Sequence, residues 1–431
     1  MNVCPDCFAV KGLQRRIIEI RKDYDAGRCD FHPTKKGVPI EGVAQVVDPV
    51  FRDNYGGAIP DFRSPGPRGD DLEEVLGDLT QAEDDAIIDA LRDALIEADD
   101  YWPGDGEEPF YDDDYKYYRD RHHLGETTRL WREFRRGLMH GQRFFNSEAK
   151  ALLTRIFRDV HHQRDAAKQG PVYLVRPGEP QSMVFRARIT QDEGERDRIE
   201  KRLAEELGPP PERKRKAGRL NPAGVIAFYA AFDLDTCVAE LRPSVGAVVM
   251  AAEFAIGEPI CVLDMTRFDA QPKAEDLYAK NARERAAQWS FMQSFMNEIA
   301  QPISPGDEHL DYLPTQAVAE YLNKHHTFTF EGRERTIDAI IYRSAQHPEG
   351  KNIVLLGESA VVGPPPGAPA QQADPDDLWP SLKFASRRKT VARVVPKPET
   401  VVKLAVSGAS FTTTRHFDLD DPLGDHEDDW R

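Results

Sequence analysis

The hydrophobic periodicity of the chain changes near residue 170, and this change limits the folds open to it. Residues 71–100 and 126–168 carry apolar side chains at intervals of three and four, which is typical of amphipathic helices. From Gly170 onward the apolar segments are short, β-prone and bounded by Pro or Gly, which is typical of strands. They read PVYLV, MVFRARI, GVIAFYA, GAVVMAAEFAI and PICVLD. The sequence therefore predicts an α+β protein with a helical amino-terminal half followed by a β-sheet domain.

The second half also contains helical segments, predicted over residues 277–302 and 315–325, and two last strands, DAIIYRS and NIVLLG. This order predicts a mixed sheet flanked by helices. The stretch 362–380 is rich in Pro and the last fifteen residues are strongly acidic, so we expect a linker and a tail there. The predicted organisation is a small zinc knuckle at 1–33, a helical domain at 34–168, a β-rich domain at 169–362, and a linker with a tail at 363–431.

Three of the five cysteines lie within the first 29 residues, in a pattern that predicts a metal site. Cys4 and Cys7, then Cys29 and His32, form C-x2-C and C-x2-H pairs with 21 residues between them. Four such ligands close a tetrahedral site with no open position, which is the structural kind of zinc site. Zinc binding would fold a segment too small to bury a core of its own. The alternatives are unligated cysteines in a frayed terminus, or a redox role for Cys4 and Cys7.

The charge of the chain argues against one class of partner. The 57 Lys and Arg against 74 Asp and Glu give a formal net charge of −17, whereas duplex DNA requires a basic face that neutralises phosphates. A small anionic ligand in a local pocket remains compatible with this charge. The sequence has no apolar run of about 18–20 residues to span a bilayer and no signal peptide at its start, so we expect no membrane association and a cytoplasmic location.

Two arginines lie beside β-prone segments of the second half. Arg186, in VFRARI, is either a surface residue or a fork-shaped donor for phosphate. Arg219 and Asn221 belong to the turn GRLNP, which presents Arg219 ahead of a strand that contains Tyr229. These residues are candidates for holding an anionic ligand.

A short helix is predicted after that strand, capped by Asp233 or Asp235 and carrying Glu240. The neighbours of Glu240 are apolar, which favours a partly buried carboxylate, and the two arginines are its candidate partners. Further on, Ser344 ends an apolar strand, where polar site residues often lie. It has no G-x-S-x-G context and no obvious His/Asp pair, which argues against an acyl nucleophile.

Together these motifs resemble the RES domain over residues 171–362. The resemblance rests on FRAR, GRLNP-x-G-x-x-x-x-Y, T-x-x-x-E, Y-x-x-T-Q at 312–316, and Ile-Tyr-x-Ser with a trailing Asn-x-Val, in this order and spacing. The first half is similar, more loosely, to the HEPN/RES amino-terminal region, in its C-x-x-C-F start and the RFF at 143–145.

The resemblance implies an ADP-ribosyltransferase-like fold and an enzyme that acts on NAD as substrate. Most RES domains are toxins that cleave NAD by hydrolysis or phosphorolysis, and some instead ADP-ribosylate a protein. Many are neutralised by an antitoxin, so an antitoxin or another regulatory protein, and a homo-oligomer, are the partners to expect. Where some family toxins have Tyr after the first Arg, this chain has Ala187.

The resemblance also implies roles for individual residues. Arg186 and Arg219 would hold the diphosphate and ribose region, and Tyr229 would stack near the nicotinamide. Glu240 would be the key carboxylate, and Ser344 would line the nicotinamide ribose. Asn221 is grouped with the residues that bind the dinucleotide.

Two other hypotheses concern the helical first half. It would be a HEPN-type ribonuclease if Arg135…His140 or Arg155…His161 formed the Arg–His pair of such enzymes. Alternatively, it would be a non-enzymatic regulator that binds a partner or covers the NAD cleft through its knuckle, its helices and its acidic stretch 97–120. In that case, removing residues 1–165 is expected to leave NAD cleavage detectable.

Overall fold

The structure of the chain is a computed structural model. It describes residues 1–25, 27–58, 69–99, 109–119, 124–273, 276–279, 281–300, 308–347, 349–363 and 392–408. Most of the predicted Pro-rich linker, the acidic tail after residue 408, and much of the acidic stretch 97–120 lie outside these residues. No helix within the described residues combines the length and the apolar character needed to cross a bilayer.

The amino-terminal part is mostly helical, with short two- and three-stranded sheets. Its elements are β1 (Asn2–Val3), α1 (Lys11–Ile20), β2 (Gly27–Arg28), β3 (Lys36–Pro39), α2 (Ile40–Asn54), β4 (Tyr55–Ala58), α3 (Leu72–Thr80), α4 (Asp85–Ala98) and β5 (Lys116–Arg119). The helical pattern predicted over 71–100 is divided between α3 and α4. Gln81 ends α3 in the left-handed conformation, and the Asp84 side chain caps α4 by accepting a hydrogen bond from the backbone of Ala86.

The second part is built around one large sheet. Its strands are β6 (Val172–Val175), β7 (Met183–Thr190), β8 (Ala227–Ala231), β9 (Val248–Ile256), β10 (Ile260–Asp264), β13 (Ala339–Arg343), β14 (Lys351–Leu356), β15 (Val394–Pro396) and β16 (Val402–Ala405), with a separate hairpin of β11 (Phe328–Phe330) and β12 (Arg333–Arg335). The strand order is β15-β9-β7-β8-β14-β13-β10-β6, and β16 also pairs with β9. Strands β10 and β13 are parallel, and the other pairs are antiparallel. This mixed sheet with its helices confirms the predicted α+β class.

Helices pack on both faces of this sheet. They are α5 (Leu124–His140), α6 (Ser147–Ile156), α7 (Glu193–Lys201), α8 (Leu203–Glu206), α9 (Leu234–Glu240), α10 (Ala282–Ala300), α11 (Glu308–Asp311) and α12 (Leu313–Lys324). One face is covered by α5, α6, α10 and α12, whose side chains form one core with strand residues such as Ile340 and Val354. The opposite face packs against α7 and α8 through Ile199, Leu203 and neighbouring side chains.

The cores do not follow the predicted domain boundary near residues 165–172. Side chains of α5 and α6, among them Trp131 and Phe134, are buried with Phe291 and Phe295 of α10 in the same core. A separate core contains residues between Val3 and Tyr117, together with Tyr278. The helical half is thus divided between two cores, and its second portion packs as part of the β-rich unit.

The segment after residue 362 differs from the predicted linker and tail. Residues Val394–Pro396 and Val402–Ala405 add two antiparallel strands beside β9. Arg393 also fixes this segment, because its guanidinium donates to Asp338 and to Ser359, each at 3.0 Å. Composition alone did not reveal these strands, because they are only three and four residues long and follow a Pro-rich stretch.

Candidate functional site

The Glu240 carboxylate is held by two side chains from neighbouring strands. Oε1 accepts hydrogen bonds from Ser344 Oγ at 2.6 Å and from Asn352 Nδ2 at 2.7 Å. Oε2 has no hydrogen-bond partner among the residues that the structure describes. Glu240 is exposed, which corrects the expectation of a partly buried carboxylate paired with the arginines. The two hydrogen bonds to Oε1 fix the orientation of the carboxylate and leave Oε2 open to a ligand.

Ser344 holds Glu240. It is buried, and its Oγ accepts hydrogen bonds from the backbone N–H groups of Gln346 and His347, each at 3.1 Å. Because both of these are donors, the hydroxyl proton is the one that bonds to Glu240. All three hydrogen-bonding capacities of the hydroxyl are therefore used within the protein. This contact pattern supports a positioning role for Ser344 and leaves it no spare donor for a ribose.

Helix α9 is anchored at its amino-terminal end. The Asp233 carboxylate caps it, accepting from the backbone N–H of Thr236 at 2.7 Å and from the Thr236 hydroxyl at 2.7 Å. His347 Nδ1 lies 2.8 Å from the same hydroxyl oxygen, which ties α9 to the turn that contains Ser344. A side chain at Gly350 would place its Cβ 2.1 Å from this oxygen, so only glycine allows the close approach. These contacts set the position of Glu240 at the end of α9.

Arg186 is a half-buried cation without an acidic partner. It lies on β7, where its Nη1 donates to the Tyr229 carbonyl at 3.0 Å and its guanidinium lies 4.7 Å from the ring centroid of Phe228. Burial lowers the pKa of this guanidinium to about 10. No carboxylate forms an ion pair with it among the described residues. A buried cation requires an anion or further hydrogen bonds to offset its desolvation, so Arg186 favours an anionic ligand at this place.

Asn221 and Tyr229 hold the GRLNP turn in place, although both were predicted from the sequence to bind the ligand. Asn221 is buried, and its Nδ2 donates to the carbonyls of Pro222 and Val225 at 3.1 and 3.2 Å. Its Oδ1 accepts from the Tyr229 hydroxyl at 2.8 Å, and that hydroxyl oxygen accepts from the backbone N–H of Leu220 at 3.0 Å. Asn221 and the Tyr229 hydroxyl are thus occupied in shaping the turn, and only the ring of Tyr229 remains for a ligand.

Arg219 extends from this turn towards helices α10 and α12. Its Nη1 donates to the backbone carbonyl of Glu298 at 3.3 Å, and its guanidinium lies 5.5 Å from the centroid of the Tyr312 ring. Its own carbonyl accepts from the Thr315 hydroxyl at 2.5 Å. The motif Y-x-x-T-Q therefore works as a support for Arg219, with the ring of Tyr312 beneath the cation and Thr315 fixing its backbone.

Tyr342 lies close to several of the side chains described above. Burial raises the pKa of its phenol, and the phenols of Tyr229 and Tyr312 and the Glu240 carboxylate act in the same direction, whereas the Arg219 cation opposes them. The four other side chains consequently lie within electrostatic range of Tyr342. The sequence did not single out Tyr342 or Tyr312 as site residues. One signal was available, because Tyr342 precedes Ser344 by two positions and strand residues two apart share a face.

The four predicted metal ligands come together. The Sγ atoms of Cys4 and Cys7 are 3.9 Å apart, Cys7 and Cys29 are 3.4 Å apart, and His32 Nδ1 lies 3.5 Å from the Sγ atoms of both Cys4 and Cys7. A tetrahedron with metal–ligand bonds of about 2.0–2.3 Å has edges of roughly 3.3–3.8 Å, so the spacing fits one metal ion. The three cysteines are buried in the amino-terminal core, which makes the cluster part of that core and not an independent knuckle.

The two members of each Arg–His pair in the ribonuclease hypothesis lie in different surroundings. Arg135 pairs with Glu298 at 3.3 Å, and His140, five residues later on α5, lies about 140° around the helix from it. Arg155 is exposed near the end of α6, whereas the His161 ring is buried and stacks on Phe328 at 4.6 Å. No observation favours ribonuclease activity over the chemistry of the Glu240 site.

Residues 194–376 match the family model of the RES domain. The matched span contains Arg219, Tyr229, Glu240 and Ser344, and Arg186 lies just ahead of it. The match confirms the predicted resemblance for the second half, while the HEPN-type resemblance of the first half stays a prediction. No curated protein and no solved structure matches the chain.

Proposed function

Residues 194–376 belong to the RES domain, a family associated with NAD-related toxins, and from this premise we propose that the protein is an enzyme that cleaves the nicotinamide–ribose bond of NAD. The observation that carries the proposal is the Glu240 carboxylate, which is fixed through Oε1 and has Oε2 unpartnered among the described residues. It lies within electrostatic range of Tyr342, as Arg219 and Tyr229 also do. A toxin or defence effector is the biological role that fits such an activity.

The carboxylate suits the charge that develops in this reaction. Cleavage breaks the bond between the ribose C1′ and the ring nitrogen of nicotinamide, and the electron pair leaves with nicotinamide, which becomes neutral. C1′ then carries oxocarbenium-like positive charge, as in glycoside hydrolysis. Oε2 of Glu240 would stabilise this charge or the ribose hydroxyls beside it. This stabilisation accelerates the reaction only to the extent that it is stronger in the transition state than in bound NAD.

The two arginines suit the other end of the substrate. NAD carries a diphosphate, and a guanidinium offers paired N–H donors that match phosphate oxygens. Arg186 lacks an acidic partner among the described residues, and Arg219 is held by the Tyr312 ring and the Glu298 carbonyl. The ring of Tyr229 would pack against nicotinamide between them. In this assignment Asn221 and Ser344 position other residues without contacting NAD.

The molecule that accepts the ADP-ribosyl group determines which reaction the enzyme catalyses. Water at C1′ gives ADP-ribose and one proton, inorganic phosphate gives the phosphorylated sugar, and a protein side chain gives an ADP-ribosylated protein. We propose hydrolysis or phosphorolysis, with protein ADP-ribosylation as the alternative. The test is to incubate the full chain with NAD, with and without phosphate, and to identify all products by mass. Intact NAD under every condition, with folded protein, would refute the proposal.

Replacing Arg186 with Gln is expected to raise the KM for NAD by about 10–100-fold, because one hydrogen bond to a charged phosphate contributes about 1.5–3 kcal/mol. The matched control is Arg188→Gln, on the same strand, since Arg188 is exposed and pairs with Glu206 at 3.0 Å. Steady-state kinetics of NAD loss measure both variants. Equal KM values for the two variants would remove Arg186 from the binding site.

We also propose that Cys4, Cys7, Cys29 and His32 hold a structural zinc ion. Replacing His32 with Asn is expected to weaken the site and to lower the thermal stability of the amino-terminal core, because the ion would cross-link β1, the first turn and the segment after β2. The cobalt-substituted protein provides a specific readout, since only thiolate ligands give sulfur-to-cobalt charge-transfer absorption. His140→Asn, an exposed histidine outside the cluster, is the control and is expected to change neither property.

A protein partner remains part of the proposal. RES toxins typically pair with antitoxins, so a neutralising partner, and a homo-oligomer, stay predictions for this chain.

A further inference from the structure

A second group of metal-ligating side chains follows helix α6. One ligand atom from each of Asp159, His161 and His162 lies within 4.8 Å of the others. The three residues are consecutive or nearly so, and the short 3-10 turn over Val160–His162 brings the two imidazole rings to 4.0 Å between centroids. None of them belongs to the Glu240 site or to the cysteine cluster.

Two buried imidazole nitrogens near this group lack partners. His161 is 8% exposed and His326 is 7% exposed. Nδ1 of His161 and Nε2 of His326 are both buried, and neither has a hydrogen-bond partner among the described residues. Buried polar atoms in folded proteins are almost always paired, so two orphaned nitrogens at one place call for a ligand or an ion.

All of these side chains line one cavity of about 610 Å³. Tyr321 and Phe328 form its apolar wall, and the His161 ring stacks on Phe328 with centroids 4.6 Å apart. The stacking fixes the plane of the buried ring. His162 and Asp159 are exposed, which leaves the group accessible to an ion from solvent.

We propose that Asp159, His161 and His162 bind a divalent transition-metal ion of the zinc type. Two imidazoles and one carboxylate suit such borderline ions, whereas Mg²⁺ and Ca²⁺ prefer oxygen ligands throughout. Three protein ligands leave one tetrahedral position open, in contrast to the closed Cys3His cluster. The three residues line a cavity that is also lined by His326, whose buried Nε2 has no hydrogen-bond partner among the described residues.

The test is a calorimetric titration of the full-length protein, as purified, with Zn²⁺ at pH 7. We expect one further equivalent to bind in addition to any ion in the cysteine cluster. His162→Asn and Asp159→Asn are expected to weaken this event by about 100-fold or more, since each alters one of three ligands and even the loss of an outer-shell partner costs about 10–100-fold. Both residues are exposed, so these variants keep the core intact. His325→Asn is the control, because His325 is exposed and lines the same cavity but lies outside the ligand set.

A second measurement separates the two metal sites. Cobalt bound at Asp159, His161 and His162 is expected to show d–d absorption without sulfur charge transfer, and this signal is expected to disappear in His162→Asn while the thiolate signal remains. The proposal is overturned if the wild type binds no further equivalent, or if His162→Asn and His325→Asn bind it equally well.

Discussion

Replacing Glu240 with Gln is expected to lower the kcat of NAD cleavage by about 10²–10³-fold, the usual cost of removing one electrostatic contact to developing charge. The amide keeps the shape of the side chain and an oxygen that Ser344 and Asn352 can bond to. It removes the negative charge that would face C1′ in the transition state. KM is expected to change little, because positive charge at C1′ develops only as the bond breaks.

The control for this change is Glu258→Gln. Glu258 is exposed in the turn between β9 and β10, so its replacement removes one negative charge from the same domain without involving the hydrogen bonds of Glu240. Rates of NAD loss, measured by chromatography with the wild type alongside, compare the two variants. Comparable activity of Glu240→Gln and Glu258→Gln would mean that another group stabilises the transition state.

Deleting residues 1–165 is expected to unfold the remaining chain, contrary to the sequence-based expectation that such a fragment cleaves NAD. Eight large apolar side chains between Leu130 and Val160 belong to the core that packs on the sheet. At about 1.5–3 kcal/mol for each buried side chain, their loss amounts to about 12–24 kcal/mol. Net stabilities of domains are about 5–15 kcal/mol, so the fragment is not expected to fold. Circular dichroism during thermal denaturation provides the measurement.

A shorter deletion is the matched comparison. Removing residues 1–119 takes away the amino-terminal core but keeps α5 and α6. Among the described residues it uncovers one buried side chain of the second part, Tyr278, and the partly buried Leu277 beside it. This variant is expected to fold and to retain NAD cleavage if the amino-terminal core is a regulator. Cooperative unfolding of the fragment that lacks residues 1–165, at the same temperature as the longer one, would contradict the assignment of α5 and α6 to the second core.

Local patterns explain why much of the site was predictable. Glu240 and its helix follow from an Asp cap and a short apolar face, and Asp233 is the residue that caps it. The metal cluster follows from two x2-spaced ligand pairs. The strand pairing that brings Asn352 to Glu240 was not predictable, because residues 112 positions apart in sequence meet only through the order of the sheet. The positions of Tyr342 and Tyr312 were not predictable for the same reason. Tyr342 lies on a strand and Tyr312 precedes a helix, and both come near Arg219 only in the folded chain.

Short segments of the amino-acid sequence specify the α+β class, the cysteine–histidine cluster and the motifs of the RES domain, because periodicity and ligand spacing are local properties. The folded molecule was needed to show that α5 and α6 pack with the sheet, that two strands follow the Pro-rich stretch, and that Ser344 and Asn221 support other residues. These outcomes depend on which buried surfaces and hydrogen-bonding groups meet across the fold, and that choice is made by the whole chain at once.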